Sequence, residues 1–562
     1  MRRLLAARAL MAGVVMLGLL GGRVRPGEAA TTKVTPVRGG TLVEGLLEDP
    51  DSLLPNASGN LYALLVQQTL FAPLFYSDNN DHIQPGLARV VPTVANGGIS
   101  RDGRTYTFHL RRGLKWSDGK PLTARDVDYS WRLWVNPKLD PAPFSTLGID
   151  RVSATTISAD NLSITFHLVQ PYAPFLSDWT DSFQPLPAHL LAKIPSNQVG
   201  NSAFAEFPTV NSGPFTLQSF RHGQSISVTR NRYYYQARTG YPYLDGITFQ
   251  IFSDQAALLA GLDDHTVDTA WLLPITNFAT LQRMQDVTTM PLQDGNWEAA
   301  IINLRRPIFK DVRVRQALEY GLNRGAEVQS GWHGLATLIA NDQPPGSTVY
   351  DPAIKPYPYD PALAAHLLDQ AGWRLSADGY RHKGHQILSI TYSTSFNKPW
   401  RQIDEAQALS DYERLGIQLV IRNYPAGVFE NTILPRGQFD LAEYVFNDGL
   451  DPDDIAAFGS RFTPPQGSNY GAYRNPAFDR LAAEEIATAD TAKRAAIFHQ
   501  MERILHDDVP MLWLYSPDDL AAASTRVHNY DPSPFSMDTW NAWEWWLSPA
   551  PRAARHGTPI RT

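Results

Sequence analysis

The chain has no cysteine. That excludes disulfide scaffolds, thiolate zinc sites, Fe–S clusters, a cysteine nucleophile and a lipid-modified N-terminal cysteine. Long apolar runs are scarce as well. The longest, residues 9–21 (ALMAGVVMLGLLG), has 13 residues, short of the roughly 20 that cross a bilayer as a helix. No long basic run occurs and the formal net charge is −7, which argues against a nucleic-acid binder. Gly-x-Ser-x-Gly and Gly-x-Gly-x-x-Gly are both missing. The nearest approach to a phosphate loop, residues 113–120, has five residues between its glycines in place of four, and Pro121 where Ser or Thr is required. The 14 histidines are scattered. His382 and His385 are the closest pair, inside a Gly-punctuated run (DGYRHKGH) that reads as an exposed hairpin tip.

What is present is an ordinary globular composition. With 562 residues and 62.5 kDa the chain is too large for one core, so two or three domains are expected. Trp, Tyr and Phe number 14, 23 and 24, enough to line a cleft as well as a core. Arg2, Arg3 and Arg8 before the apolar run, with Gly27 and Ala29 after it, read as an export signal over residues 1–30. Removing it strips five Arg and one Glu and leaves a net charge of −11. The mature product is expected outside the cytoplasm, as a soluble protein that is not a lipoprotein.

Residues 76–205 are rich in short alternating strands, and the tetrad Thr-Phe-His-Leu occurs at 107–110 and again at 165–168. Alternation buries Tyr106 and Phe108 and puts His109 and His167 on the opposite face, where they are read as solvated or hydrogen-bonded and not as ligands. Between these strands Thr123 caps a helix with Asp126 three residues on, and Val127, Trp131 and Trp134 form its core stripe. From about residue 295 helices and strands alternate. Asp311, Asp360 before Pro361, Asn475 before Pro476 and Asp490 are helix starts. This alternation implies a mixed α/β lobe. Residues 549–562, rich in Pro, Ala and Arg, read as a disordered tail. Among acidic pairs, Glu484 and Glu485 read as a helix surface, whereas Asp448 and Asp451 leave an exported hydrolase open, because catalytic carboxylates need only spatial proximity.

Several stretches decide between these classes. LRRGLKWSDGKPLTARDV (110–127), NSGPF (211–215), FKDVRVRQALEYGLNR (309–324), YDPALAAHLLDQAGW (359–373) and KRAAIFHQMERILHDDVPMLWLY (493–515) resemble, in order, landmarks of the family 5 extracellular solute-binding proteins. These are the dipeptide and oligopeptide receptors of ABC importers. The resemblance runs from about residue 39 to about 546. It implies a two-lobed periplasmic-binding-protein-like α/β fold with an extra subdomain: lobe I from 39–75, 206–292 and 510–548, the subdomain from 76–205, and lobe II from 293–509. It implies a periplasmic monomer that binds a solute and docks on membrane permease subunits, with no cofactor and no catalysis. The ligand so implied is a short peptide, with oligosaccharide, nickel or haem as alternatives within the family.

Site residues follow from the same resemblance. FNDGLDPDD is similar to the dipeptide receptors' Asp-x-x-Asp-Pro, which makes Asp448 the partner of a ligand ammonium group. FNKPW lies where those receptors carry Arg-Pro-Tyr. Lys398 thus replaces an arginine that holds the ligand carboxylate, keeping the charge and losing the bidentate fork. QGSNYGAY adds Asn469 and Tyr470 as cleft residues. Asp51, Ser52 and Leu53 occupy the segment whose backbone bonds an extended ligand in the family.

Overall fold

The structure, a computed structural model, describes residues 35–139, 148–180, 183–293, 295–396, 398–447, 451–533 and 536–549. The expected export signal, the tail from residue 550 onward and Asp448 lie outside the described residues. No described helix is long and apolar enough to cross a membrane.

The two Thr-Phe-His-Leu tetrads pair with each other. Thr105–His109, Ser163–Leu168 and Val152–Ile157 form a three-stranded antiparallel sheet, with Thr107 opposite Thr165. Tyr106, Phe108, Ile164 and Phe166 are fully buried on one face. On the other face His109 bonds Ser163 Oγ at 2.8 Å and His167 bonds Thr156 Oγ1 at 3.2 Å. Helix Ala124–Trp134 starts at the expected Thr123–Asp126 capping box and buries Val127, Trp131 and Trp134.

The rest of the molecule is organised by one twelve-stranded sheet. Its strands are β1 (Thr41–Leu46), β2 (Phe215–Arg221), β3 (Ser225–Arg230), β4 (Gly246–Ile251), β5 (Thr269–Leu273), β6 (Val287–Gln293), β7 (Asn296–Ile302), β8 (Ala336–Leu338), β9 (Ser389–Ser393), β10 (Gln418–Ile421), β11 (Leu441–Asn447) and β12 (Met511–Ser524). The order is β10-β9-β11-β7-β12-β5-β1-β4-β3-β2, with β6 and β8 also paired to β12. The fourteen-residue β12 belongs to both lobes. Its first half pairs with β7, Ala300 opposite Leu512. Its second half pairs with β5 and β6, Ala522 opposite both Ala270 and Thr289.

Two antiparallel strands therefore cross side by side from lobe to lobe: β6 into β7 at 293–296, and β12 at about 516–519. The resemblance implies a return to lobe I at about residue 510; β12 starts at Met511, and 511–515 pair with β7. One apolar cluster passes beneath the crossing, joining Leu258, Leu262 and Ala270 of lobe I to Leu514, Tyr515 and Leu520 of β12 and to Ile390 and Leu441 of lobe II. On the opposite face of lobe II's sheet a second cluster gathers Trp297, Ala442, Trp513, Phe498 and Leu505. Asp311, Asp360, Asn475 and Asp490 cap helices Val312–Gly321, Pro361–Gln370, Pro476–Ile486 and Thr491–Asp508, as the sequence predicts.

Candidate binding cleft

Strand direction locates the cleft. β9 and β11 are parallel to each other, and β11 runs with β12 because both oppose β7, so their carboxyl ends point at lobe I. β1, β4 and β5 are mutually parallel and β5 opposes β12, so their carboxyl ends point at lobe II. Both sets end on the same opening, where open α/β sheets bind ligands. Lys398 follows β9, Asp448 follows β11, and Asp51, Ser52 and Leu53 follow β1. The loops that carry Lys398 and Asp51 to Leu53 thus leave from carboxyl strand ends, while Asp448 lies outside the described residues. A separate open groove of about 690 Å³ is lined by β6 and Tyr530 of lobe I, Asn79 and Asn80 of the inserted subdomain, and Pro345 and Gly346 of lobe II, and by none of these loops.

In lobe II, β11 bonds β9 only at Leu441 and Ala442, so among the described residues 443–447 carry a ladder on the β7 side alone. Beside this edge, helix Pro399–Arg414 opens with proline at its first turn. Lys398 precedes it, half-buried, with Nζ 5.0 Å from the Trp400 ring centroid. Its ammonium has no carboxylate partner among the described residues. Arg401 is the opposite case. It is 2% exposed, bonds both Glu298 oxygens at 3.0 and 2.9 Å, and holds Glu443 at 3.6 Å. Tyr392 donates to Glu443 at 3.0 Å and Trp400 Nε1 to Glu298 at 3.2 Å. Burial pushes the Glu443 carboxyl well above the usual range, with Asp404 and Glu298 adding to it. Burial raises Asp404 to about 7, opposed by the hydroxyl that Tyr515 donates to it.

The loop after β11 is fixed from outside. Arg494 of helix Thr491–Asp508 bonds both Asp451 oxygens at 2.6 and 2.8 Å and Glu485 at 2.7 Å. Burial alone would lower the Arg494 guanidinium, but Asp451 and then Glu485 hold it charged. Asp451 also accepts Ser177 Oγ of the inserted subdomain at 3.2 Å, and the Ala173 N–H donates to Ile486 O at 2.7 Å. The subdomain therefore touches lobe II here. Asp451, read from sequence as half of an acid pair, is an ion-pair anchor.

The remaining expected residues are placed as follows. Leu53 is fully buried and its N–H bonds Ala205 O, while Gln67 Nε2 takes the carbonyls of Ser52 and Leu54. Asp51 accepts Ser58 Oγ at 2.5 Å. The Leu53 N–H and the Ser52 carbonyl are thus engaged, the first by Ala205 at the end of the inserted subdomain. Asn469 is 1% exposed, and its amide bonds the carbonyls of Gly459 and Tyr473 and the N–H of Tyr473. These bonds brace its own loop, a role that Asn in a Gly-flanked run takes readily. Tyr470 is half-buried, edge-on to Tyr444 at 6.3 Å, and its carbonyl takes Arg305 at 2.8 Å. Sequence reasoning missed Arg401, Glu298, Glu443 and Arg494. They lie 42 to 196 residues apart in the chain with no common spacing, and only the fold brings each to its partners. No group of His and acidic side chains that could hold a metal occurs among the described residues.

A family model described as Bacterial extracellular solute-binding proteins, family 5 Middle matches residues 83–470. The chain is 24% identical over 517 residues to the Oligopeptide-binding protein AppA of Bacillus subtilis, covering 91% of this chain and 92% of that one. It is 28% identical over 459 residues to the Dipeptide-binding protein of Escherichia coli, covering 76% and 81%. The solved structure of the Bacillus subtilis AppA protein, in complex with a nonapeptide, superposes with a TM-score of 0.69 at 23% identity, over 92% of this chain and all of that one.

Proposed function

The chain belongs to the bacterial extracellular solute-binding proteins of family 5, and we propose that it captures a short peptide between its lobes and delivers it to the permease of an ABC importer. The observation that carries this reading is that the carboxyl strand ends of each lobe are directed toward the other lobe, across a crossing of only two strands. Such a crossing lets the lobes rock about a packed back while the front opens and shuts. Closing excludes water and strengthens each charged contact inside.

Lys398 supplies the positive charge for the ligand carboxylate, because it is a cation that no described carboxylate neutralises, whereas Arg401 is consumed by Glu298 and Glu443. A lysine acts as a point charge and sets no fork geometry, which favours tolerance of ligand length. Asp448, three residues before the anchored Asp451, supplies the charge for the ligand ammonium. The protein is exported, works outside the cytoplasm as a monomer, and breaks no bond in its ligand.

Calorimetry with a tryptic digest of casein and with short synthetic peptides tests this. Peptides should bind with micromolar or tighter affinity, about −8 kcal/mol, and be recovered intact. Asp448→Ala should abolish binding of peptides with a free N-terminus. If N-acetylated peptides bind the unaltered protein equally well, Asp448 has no such role. Heat from sugars or metal chelates with none from peptides would overturn the ligand class.

A further inference from the structure

Trp400 is the second residue of helix Pro399–Arg414, half-buried, and its ring is tied to the core at two points. Its Nε1–H donates to Glu298 Oε1 on β7 at 3.2 Å. Trp332, which closes helix Arg324–Gly331, packs on it with ring centroids 5.2 Å apart. Trp332 is 6% exposed and stands edge-on to Tyr515 of β12 at 5.5 Å. The indole is thus fixed from the core outward, before any ligand arrives.

Over this ring lies Lys398, its Nζ 5.0 Å from the centroid. Indole is the aromatic face that attracts an ammonium most strongly at such a separation. Lys398 stands at the N-cap of the same helix and makes no side-chain capping bond there. The indole also touches the Glu298 carboxylate, yet Glu298 pairs with Arg401 at 2.9 Å and not with Lys398. One ring therefore contacts a buried carboxylate through its N–H and an unneutralised ammonium at its face. A carboxylate partner would fix the lysine and cancel its charge. An aromatic face fixes it and leaves the charge in place, with ammonium donors left for an incoming anion. The flexible four-carbon stem, unheld, would spread over many rotamers or swing toward Glu298.

We propose that Trp400 is a positioning residue, whose face holds the Lys398 ammonium ready for the ligand carboxylate and keeps it off Glu298. This rests on the reading of Lys398 given above. Trp400 itself donates nothing to the ligand, because its one polar side-chain hydrogen is spent on Glu298. Its effect is on the cost of binding, since a side chain already held loses less freedom when the anion arrives. Preference for a free-acid peptide over its amide therefore depends on the ring as well as on the lysine.

Calorimetry tests this with the tightest-binding peptide of a tryptic casein digest, synthesised as free acid and as C-terminal amide. The unaltered protein should bind the acid about tenfold more tightly than the amide. Trp400→Leu removes the aromatic face and should cut that ratio to about twofold. Trp400→Phe keeps a face and loses the Glu298 bond just as leucine does, so its ratio should stay above about fivefold. In a Lys398→Ala background, Trp400→Leu should leave the ratio unchanged, because the ring acts through the lysine. A ratio that survives Trp400→Leu, even with both affinities lowered together, overturns the positioning role and leaves the Lys398 reading standing. Equal loss of ratio in the Leu and Phe variants assigns the effect to the Glu298 bond and overturns the role of the face. Equal binding of acid and amide to the unaltered protein, or no binding from the digest, overturns both.

Discussion

Lys398 and Arg401 stand three residues apart and do different work. Lys398 keeps its charge available; Arg401 neutralises Glu298 and Glu443 beneath it. Lys398→Ala should weaken binding of free-acid peptides about tenfold and leave C-terminal amides unaffected, by calorimetry. Lys398→Arg should keep or tighten free-acid binding. Arg401→Ala leaves two buried carboxylates without their cation and should cost about 3 kcal/mol in urea unfolding. A loss confined to binding, with unfolding unchanged, would make Arg401 a ligand residue. The contrast was half legible in sequence. A resemblance to Arg-Pro-Tyr marks Lys398, but nothing local marks Arg401, because its partners arrive on β7 and β11 from 103 and 42 positions away.

Between elements, the inserted subdomain meets lobe II at an acid-rich contact. Asp81 and Asp178 on the subdomain side face Asp451, with Asp78 beside Asp81, and Asp150, Arg151 and Asp453 around Asp178. Across from them Arg494 links Asp451 to Glu485. Burial raises Asp81 to about 7 and Glu485 to about 8, and it pushes Asp178 well up, with Asp451 adding to it. Opening the contact returns Asp81 and Asp178 to solvent and toward the usual carboxylate range near 4. Closing therefore takes up protons between about pH 4 and 7, and the closed form loses that advantage as pH rises through the closed-state values. Peptide affinity should increase from pH 7 to pH 5, where ligand termini keep their charges. Asp81→Asn with Asp178→Asn should flatten the profile. An unchanged slope in that variant would show that the contact does not titrate with closure. Helix starts in this region were readable from Asn475-Pro476 and Asp490. The contact was not, because strap 171–180 and helix Pro476–Ile486 meet only after the lobes have formed.

For the molecule as a whole, the texture change near residue 295 coincides with the first crossing strand, since local alternation of helix and strand is a property of sequence. The second crossing hides inside one uninterrupted strand, whose apolar residues read alike on both sides of it. Two lobes joined by two strands over a continuous apolar back, with the parallel strands of each directed at the other, make a device for closing on a guest. Small-angle X-ray scattering with and without casein digest measures that closing directly. The account predicts a smaller radius of gyration when peptide is present and a return to the starting value after the peptide is dialysed away. Profiles that superimpose at peptide concentrations sufficient for saturation would contradict it.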